Sequence, residues 1–167
     1  MEKNLAREEA IKKFKKLVED INICMFITKP DSQQSSRPMA TMKVENDGTL
    51  WFFTKRSSGK TGELDFDDNV HLVYAHSGKD SYIDLWGVGE VVYDETKIRE
   101  LYSPIIKAWF PGGVDDPEIC LLSVRPQSVY YWDSGSGKMV EFFKMVASAV
   151  TGKRFAEGEE GTLHINN

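Results

Sequence analysis

RPMATMKVENDGTLWFFTKRSSGK, residues 37–60, reads as two extended segments around one tight turn. Asn46-Asp47-Gly48 tolerates positive φ and sits between apolar runs, so 37–45 and 49–54 are expected to pair as an antiparallel hairpin. Pro38 restricts the first segment to an edge, a start or a bulge. The second segment, Leu50, Trp51, Phe52 and Phe53, is a buried strand that ends abruptly at Thr54. Lys55, Arg56, Ser57, Ser58, Lys60 and Thr61 then crowd cations and hydroxyls into a short loop, and 58–66 reads as a helical turn or short helix. Hydroxyls, ammonium groups and free N–H donors at a helix start suit an anion, with phosphate the natural guest. Since the open ends of a hairpin meet, Arg37 is expected beside Thr54.

Upstream, residues 3–21 place Leu5, Ala10, Phe14, Leu17, Val18 and Ile21 among lysines and glutamates, an amphipathic surface helix. NICMFIT (22–28) switches to a short buried strand, and KPDSQQSS (29–36) is a loop. Downstream, 69–76 alternates as a strand, 77–80 is a turn, and 81–93 is a long strand whose glycines 87 and 89 suggest a bend or bulge. Residues 94–108 read as a helix with Asp94 as N-cap and Ile98, Leu101 and Ile105 on one face. WFPGGVDDP (109–117) is a loop with two exposed aromatics, and 118–132 holds two strand segments separated by Pro126. Residues 138–150 give a closing helix, and the glycine- and glutamate-rich 151–167 a loose tail after a single domain, 1–150. About six to seven short antiparallel strands with peripheral helices describe a small β-barrel or curled sheet.

The totals agree with one ordinary globular domain: 167 residues, 41% hydrophobic and 28% charged. A formal charge of −5 argues against a general nucleic-acid binder, which needs a basic face. No apolar run approaches the ~18 residues of a membrane span, and the charged N-terminus lacks a signal-peptide core. Cys24 and Cys120 each lie in an apolar run and read as reduced core residues of a cytoplasmic protein.

Several chemistries fail on spacing. SSGKT has Thr54, and SGSGK (134–138) has Trp132, where a nucleotide-hydrolase phosphate loop needs glycine. His71 and His76 fall on opposite faces of an alternating strand, and with His164 they form no metal cluster. No carboxylate pair stands out as acid and base, and no G-x-S-x-G occurs. Trp51 and Trp86, inside strands, default to the core. Trp109 and Trp132 end elements beside loops, where a ring could stack on a planar cofactor.

Arg37-Pro38-Met39 on a strand, the NDG turn, FFT, Ser58 and Lys60, in this order, resemble the pyridoxamine 5′-phosphate oxidase-like family of FMN-binding split barrels. Residues 87–133, with the WFP-G-DDP loop and the YWD strand, are similar to its general stress protein 26 branch, and the resemblance spans about residues 4–134. It implies a mainly β, antiparallel Greek-key split β-barrel, assembled as a homodimer with FMN at the subunit interface. Arg37, Thr54, Ser58 and Lys60 would hold the FMN phosphate. Backbone groups of Pro38, Met39 and Ala40, with Phe53, would line the flavin and its ribityl chain. Trp109 and Trp132 would approach the isoalloxazine from the partner chain.

The vitamin-B6 oxidases of the family carry a lysine where this chain has Met42, and an Arg-x-His segment shortly after the last tryptophan, where this chain has DSGSGKMVEFF. Pyridoxine phosphate is therefore not the expected substrate. The expectation is an FMN-dependent oxidoreductase working by hydride or electron transfer on a small molecule, with NAD(P)H a candidate donor. A non-catalytic flavin-binding stress protein (store, sensor or scavenger) is the alternative. A haem-binding split barrel lacks an obvious axial histidine.

Overall fold

The change from helical to strand periodicity falls at Asn22, and the backbone marks it. Asn22 takes φ 67 and donates its N–H to Val18 O at 2.6 Å, closing α1 (Glu2–Ile21) in the left-handed conformation that asparagine tolerates. The structure is a computed structural model that describes residues 2–133, 159–163 and 165. The expected helix 138–150, the SGSGK segment and His164 lie outside the described residues.

After α1 the chain forms β1 (Ile23–Thr28), β2 (Ser35–Ala40), β3 (Lys43–Val44), β4 (Leu50–Lys55), α2 (Gly59–Phe66), β5 (Asn69–His76), β6 (Ser81–Val92), α3 (Glu95–Leu101), β7 (Ile119–Asp133) and β8 (Glu159–Leu163). The sheet order is β2-β1-β5-β6-β7-β4-β3, with β8 added to β7, and every recorded pairing is antiparallel. The two ends of this order, β2 and β3, are consecutive in the chain. Up to Ala40 the segment pairs with β1, and Thr41 N–H still bonds Asn22 O; Met42 N–H then bonds Trp51 O. One strand thus changes partners at 41–42 and curls the sheet toward closure.

That switch corrects the expected hairpin. Its tip is present, with Gly48 at φ 90 and Lys43↔Trp51 and Val44↔Leu50 paired. The pairing then stops, because 35–40 turns to β1 while the other edge of β4 pairs with β7 from Leu50↔Val124 to Lys55↔Ile119. Arg37 therefore pairs with Phe26 of β1 rather than lying across a ladder from Thr54.

Inside the barrel, alternate residues of each strand meet one face of α1. Phe14, Leu17 and Val18 pack with Phe26, Leu50 and Phe52, and the Phe26 and Phe52 rings meet edge to face at 5.4 Å. Burial pushes the Cys24 thiol up to about 12 and the Cys120 thiol up to about 11, so both are inert core groups. A second cluster covers the outside of β4: Trp51 and Phe53 pack with Ile98, Leu101, Ile106 and Phe110.

The expected helix 94–108 is broken. Asp94 does cap α3, accepting from Thr96 N and Lys97 N, but Pro104 forces Ser103 into extended backbone and only a 3-10 segment, Pro104–Ala108, follows. Ile105 is consequently exposed and Ile106 buried in its place. In the next loop Trp109 is exposed, whereas Phe110 is buried. The two segments expected at 118–132 are one strand, β7, with Pro126 accommodated where the β6 register shifts between Trp86 and Gly87. A side chain at Gly87 would sit 2.5 Å from Arg125 O, so only glycine fits this crossing.

The tail expected to be loose contributes β8. β4 covers only the first part of β7, so the edge at 129–133 is left for Glu159–Leu163, which pairs from Val129↔Leu163 to Asp133↔Glu159. Leu163 and Ile165 are buried, and Ile165 lies against Gly48 of the NDG turn.

Candidate functional site

α2 gathers the cationic group. β4 delivers Thr54 to a buried position, and the loop returns through Ser58, the N-cap of α2. The Ser58 hydroxyl does not cap the helix; it pairs with the Thr54 hydroxyl at 3.1 Å. Lys60 follows in the first turn of α2; the Thr61 N–H there bonds Ser58 O at 3.2 Å, while the N–H groups that open a helix lack an intrahelical partner. Glu63 lies three residues beyond Lys60 on the same side of the helix.

Arg37 reaches this group from β2. Its Nη1 donates to Thr28 Oγ1 at 3.0 Å, and its Nη2 donates to Ser35 Oγ at 2.9 Å and to Glu63. Glu63 also accepts from the Thr28 hydroxyl. The Arg37–Glu63 ion pair thereby ties β2, the end of β1 and α2 together.

Electrostatically the group is short of negative charge. Burial holds the Lys60 ammonium below its ordinary pKa, the Arg37 charge pushes it further the same way, and Glu63 opposes both. Arg37 is likewise lowered by burial, with Glu63 raising it in part, and a guanidinium keeps its charge throughout. Among the described residues Lys60 makes no hydrogen bond or ion pair. A half-buried ammonium beside a guanidinium, with two hydroxyls and a helix start nearby, is chemically an oxyanion site.

The other expected residues are placed elsewhere in the chain. Pro38 and Ala40 are exposed on the outer face of β2, opposite Met25 and Ile23 of β1. The Met39 side chain points into the core. The Phe53 ring lies against Phe110 at 6.4 Å. Trp109 stands exposed after the 3-10 segment, and Trp132 stands exposed on β7 opposite Tyr82, edge-on to Tyr130. Trp86, expected in the core, is 48% exposed on the outer face and stacked on His71, which bonds Asp84. Among the described residues no group of three His, Cys, Asp or Glu side chains gathers for a metal ion. No described helix is long and apolar enough to cross a membrane.

Three members of the site, Thr28, Ser35 and Glu63, are not singled out by the sequence. The Lys60/Glu63 spacing on a short helix was a readable signal, since such neighbours share a face. Nothing local points to Thr28, which joins because β2 pairs with β1.

Residues 9–156 match the family described as pyridoxamine 5′-phosphate oxidase like. The Neurospora crassa protein bli-3 is 28% identical over 127 residues, covering 71% of this chain and 61% of that protein, so the match leaves more than a third of bli-3 uncovered. Among solved structures, one named for general stress protein 26 from Jannaschia sp. CCS1 is 25% identical, with a TM-score of 0.77 over 94% of this chain and 98% of that one. The general stress FMN/FAD binding protein of Xanthomonas citri is also 25% identical, with a TM-score of 0.68 over 77% of this chain and 92% of that one. These likenesses agree with the curled antiparallel sheet and with its split-barrel class.

Proposed function

Because the chain belongs to the pyridoxamine 5′-phosphate oxidase-like family, we propose that it binds FMN and acts as an FMN-dependent oxidoreductase on a small molecule. One observation carries this reading: Lys60, half-buried beside Arg37, has no partner of its own among the described residues. A phosphate monoester supplies the oxygens that such a pair lacks. Arg37 and Lys60 would hold its charge, and Thr54, Ser58 and the first N–H groups of α2 would complete the cradle. Bound FMN supplies hydride or electron transfer, so the protein's part is to bind, orient and shield it.

Absorbance of the purified protein, followed by anaerobic titration with NADH and NADPH, tests the reading. A flavin spectrum that bleaches supports an enzyme. A flavin spectrum that neither nicotinamide bleaches favours the non-catalytic flavin protein, and failure to bind added FMN removes both.

The reading includes a homodimer with FMN between the subunits. Its support is the outer face of the sheet, where Ile23 and Met25 are 56% and 40% exposed beside Pro38 and Ala40, with Trp86 further along. An apolar strip of this kind on a sheet face is suited to a partner. Sedimentation should give a dimer, and Met25→Asp should shift it to monomer and weaken FMN binding. A wild-type monomer at all concentrations that still binds FMN would remove the interface from the proposal.

FMN affinity should also depend on pH through Lys60. In the free protein its pKa is depressed, and a phosphate dianion placed beside it raises it again. Binding therefore takes up a proton between the two values, and affinity falls by up to about tenfold per unit as pH rises through that window. Lys60→Arg, which stays charged, should flatten this decline. The same decline in both proteins would assign it to another group.

A further inference from the structure

A pocket suited to an anion carries a carboxylate in its wall, and that carboxylate faces the cations. Glu63 is bonded to Arg37 Nη2 and to the Thr28 hydroxyl, and the Thr28 oxygen also lies 3.2 Å from Nη2. With Ser35 Oγ at 2.9 Å, most of the guanidinium's donors are engaged inside the protein. Lys60, on the same helix, is engaged by none of the described residues. Arg37, Glu63 and Lys60 together carry a net charge of +1. A phosphate monoester carries about −2 above its second pKa of about 6.

The other charges nearby do not change this balance. Arg56 is turned away, over the Tyr93 ring at 4.6 Å and toward Ile119 O. Cys120 behind Lys60 stays a neutral thiol, since burial pushes it up to about 11. Glu118 is committed to Ser57.

We propose that Glu63 is a specificity-determining counter-ion: it competes with the ligand's phosphate for the Arg37 guanidinium, so binding exchanges one anionic partner for another. The inference rests on the phosphate reading given above. The carboxylate stabilises two adjacent cations when no ligand is bound, and it subtracts from the attraction that a dianion feels. Affinity for a phosphorylated flavin is thereby held below what Arg37 and Lys60 alone would give, while affinity for an unphosphorylated one is untouched.

Glu63→Gln keeps the shape and the hydrogen-bond acceptor but removes the charge. Affinities of wild type and variant for FMN and for riboflavin, read from flavin fluorescence at one ionic strength, are compared with the melting temperatures of the flavin-free proteins. The expected result is FMN binding tighter by about tenfold or more, riboflavin binding unchanged, and a lower melting temperature for the flavin-free variant. FMN affinity unchanged or weakened in E63Q, with wild type still preferring FMN to riboflavin, overturns the counter-ion role and leaves the phosphate site standing. Equal wild-type affinities for FMN and riboflavin would remove the phosphate site and this inference with it. If E63Q yields no folded protein, Glu63→Asp decides the same question by withdrawing the carboxylate one methylene: tighter FMN binding supports the role, and unchanged or weaker binding overturns it.

Discussion

Removing both cations, R37A/K60A, should weaken FMN binding by about two to four powers of ten and leave riboflavin binding unchanged. Each charge-assisted contact contributes about 1.5–3 kcal/mol, and about 1.4 kcal/mol corresponds to a factor of ten. K60A leaves the Arg37–Glu63 pair intact and the group neutral; R37A frees Glu63 to face Lys60, which neutralises it in another way. Each single change therefore takes one unit of charge from the group, and the double, which leaves Glu63 unopposed, should lose at least the sum of the two. Calorimetric titration of the four proteins checks this, and wild-type FMN affinity in the double variant would dismiss the phosphate assignment.

The second large effect concerns stability. Phe52→Ala should cost about 3–5 kcal/mol, because the ring is fully buried and its edge-to-face contact with Phe26 cannot be replaced by collapse of a closed barrel. For a chain of this length that is roughly 6–20 °C in melting temperature. Phe53→Ala, one residue on, should cost distinctly less, since its ring is only partly buried in the outer cluster with Phe110. Urea denaturation of the three proteins at one flavin and protein concentration makes the comparison. Equal losses would contradict the division of β4 into an inner and an outer face.

Much of this was legible because the signals are local. The NDG turn, the Asp94 cap, the alternation in β5 and the Gly87 bulge each rest on residues within a few positions of one another. Thr54, Ser58 and Lys60 fall together for a similar reason, as hydroxyls and a cation at a strand end and a helix start; the hairpin expected to set Arg37 beside Thr54 does not do so, and Arg37 reaches α2 from β2 instead. What failed was choice of partner. The strand 35–44 has one hydrophobic pattern, yet its two halves bond to β1 and β4, a difference only the closed sheet decides. Nothing local distinguishes Glu63 from any other helix carboxylate; only the course of β2 brings Arg37 to it. Strand membership points Trp86 to the core, but the sheet's outer face takes aromatic residues as well. The 94–108 helix was a readable error, because Ser103-Pro104 already carried the break.

The change of partners at Thr41 and Met42 also orders the making of the molecule. Only the two pairs at the hairpin tip join β3 to β4 locally; the rest of β4 must wait for residues 119–124, about seventy positions later in synthesis. Contacts of such separation form late, because the intervening loop must first be closed. On a ribosome, α1 with β1, β2 and β5 can assemble while β4 still lacks its long-range neighbour. The strand that carries Thr54 is thus held in place from one side only until β7 has emerged, and the anion pocket is completed near the end of folding rather than serving as its seed.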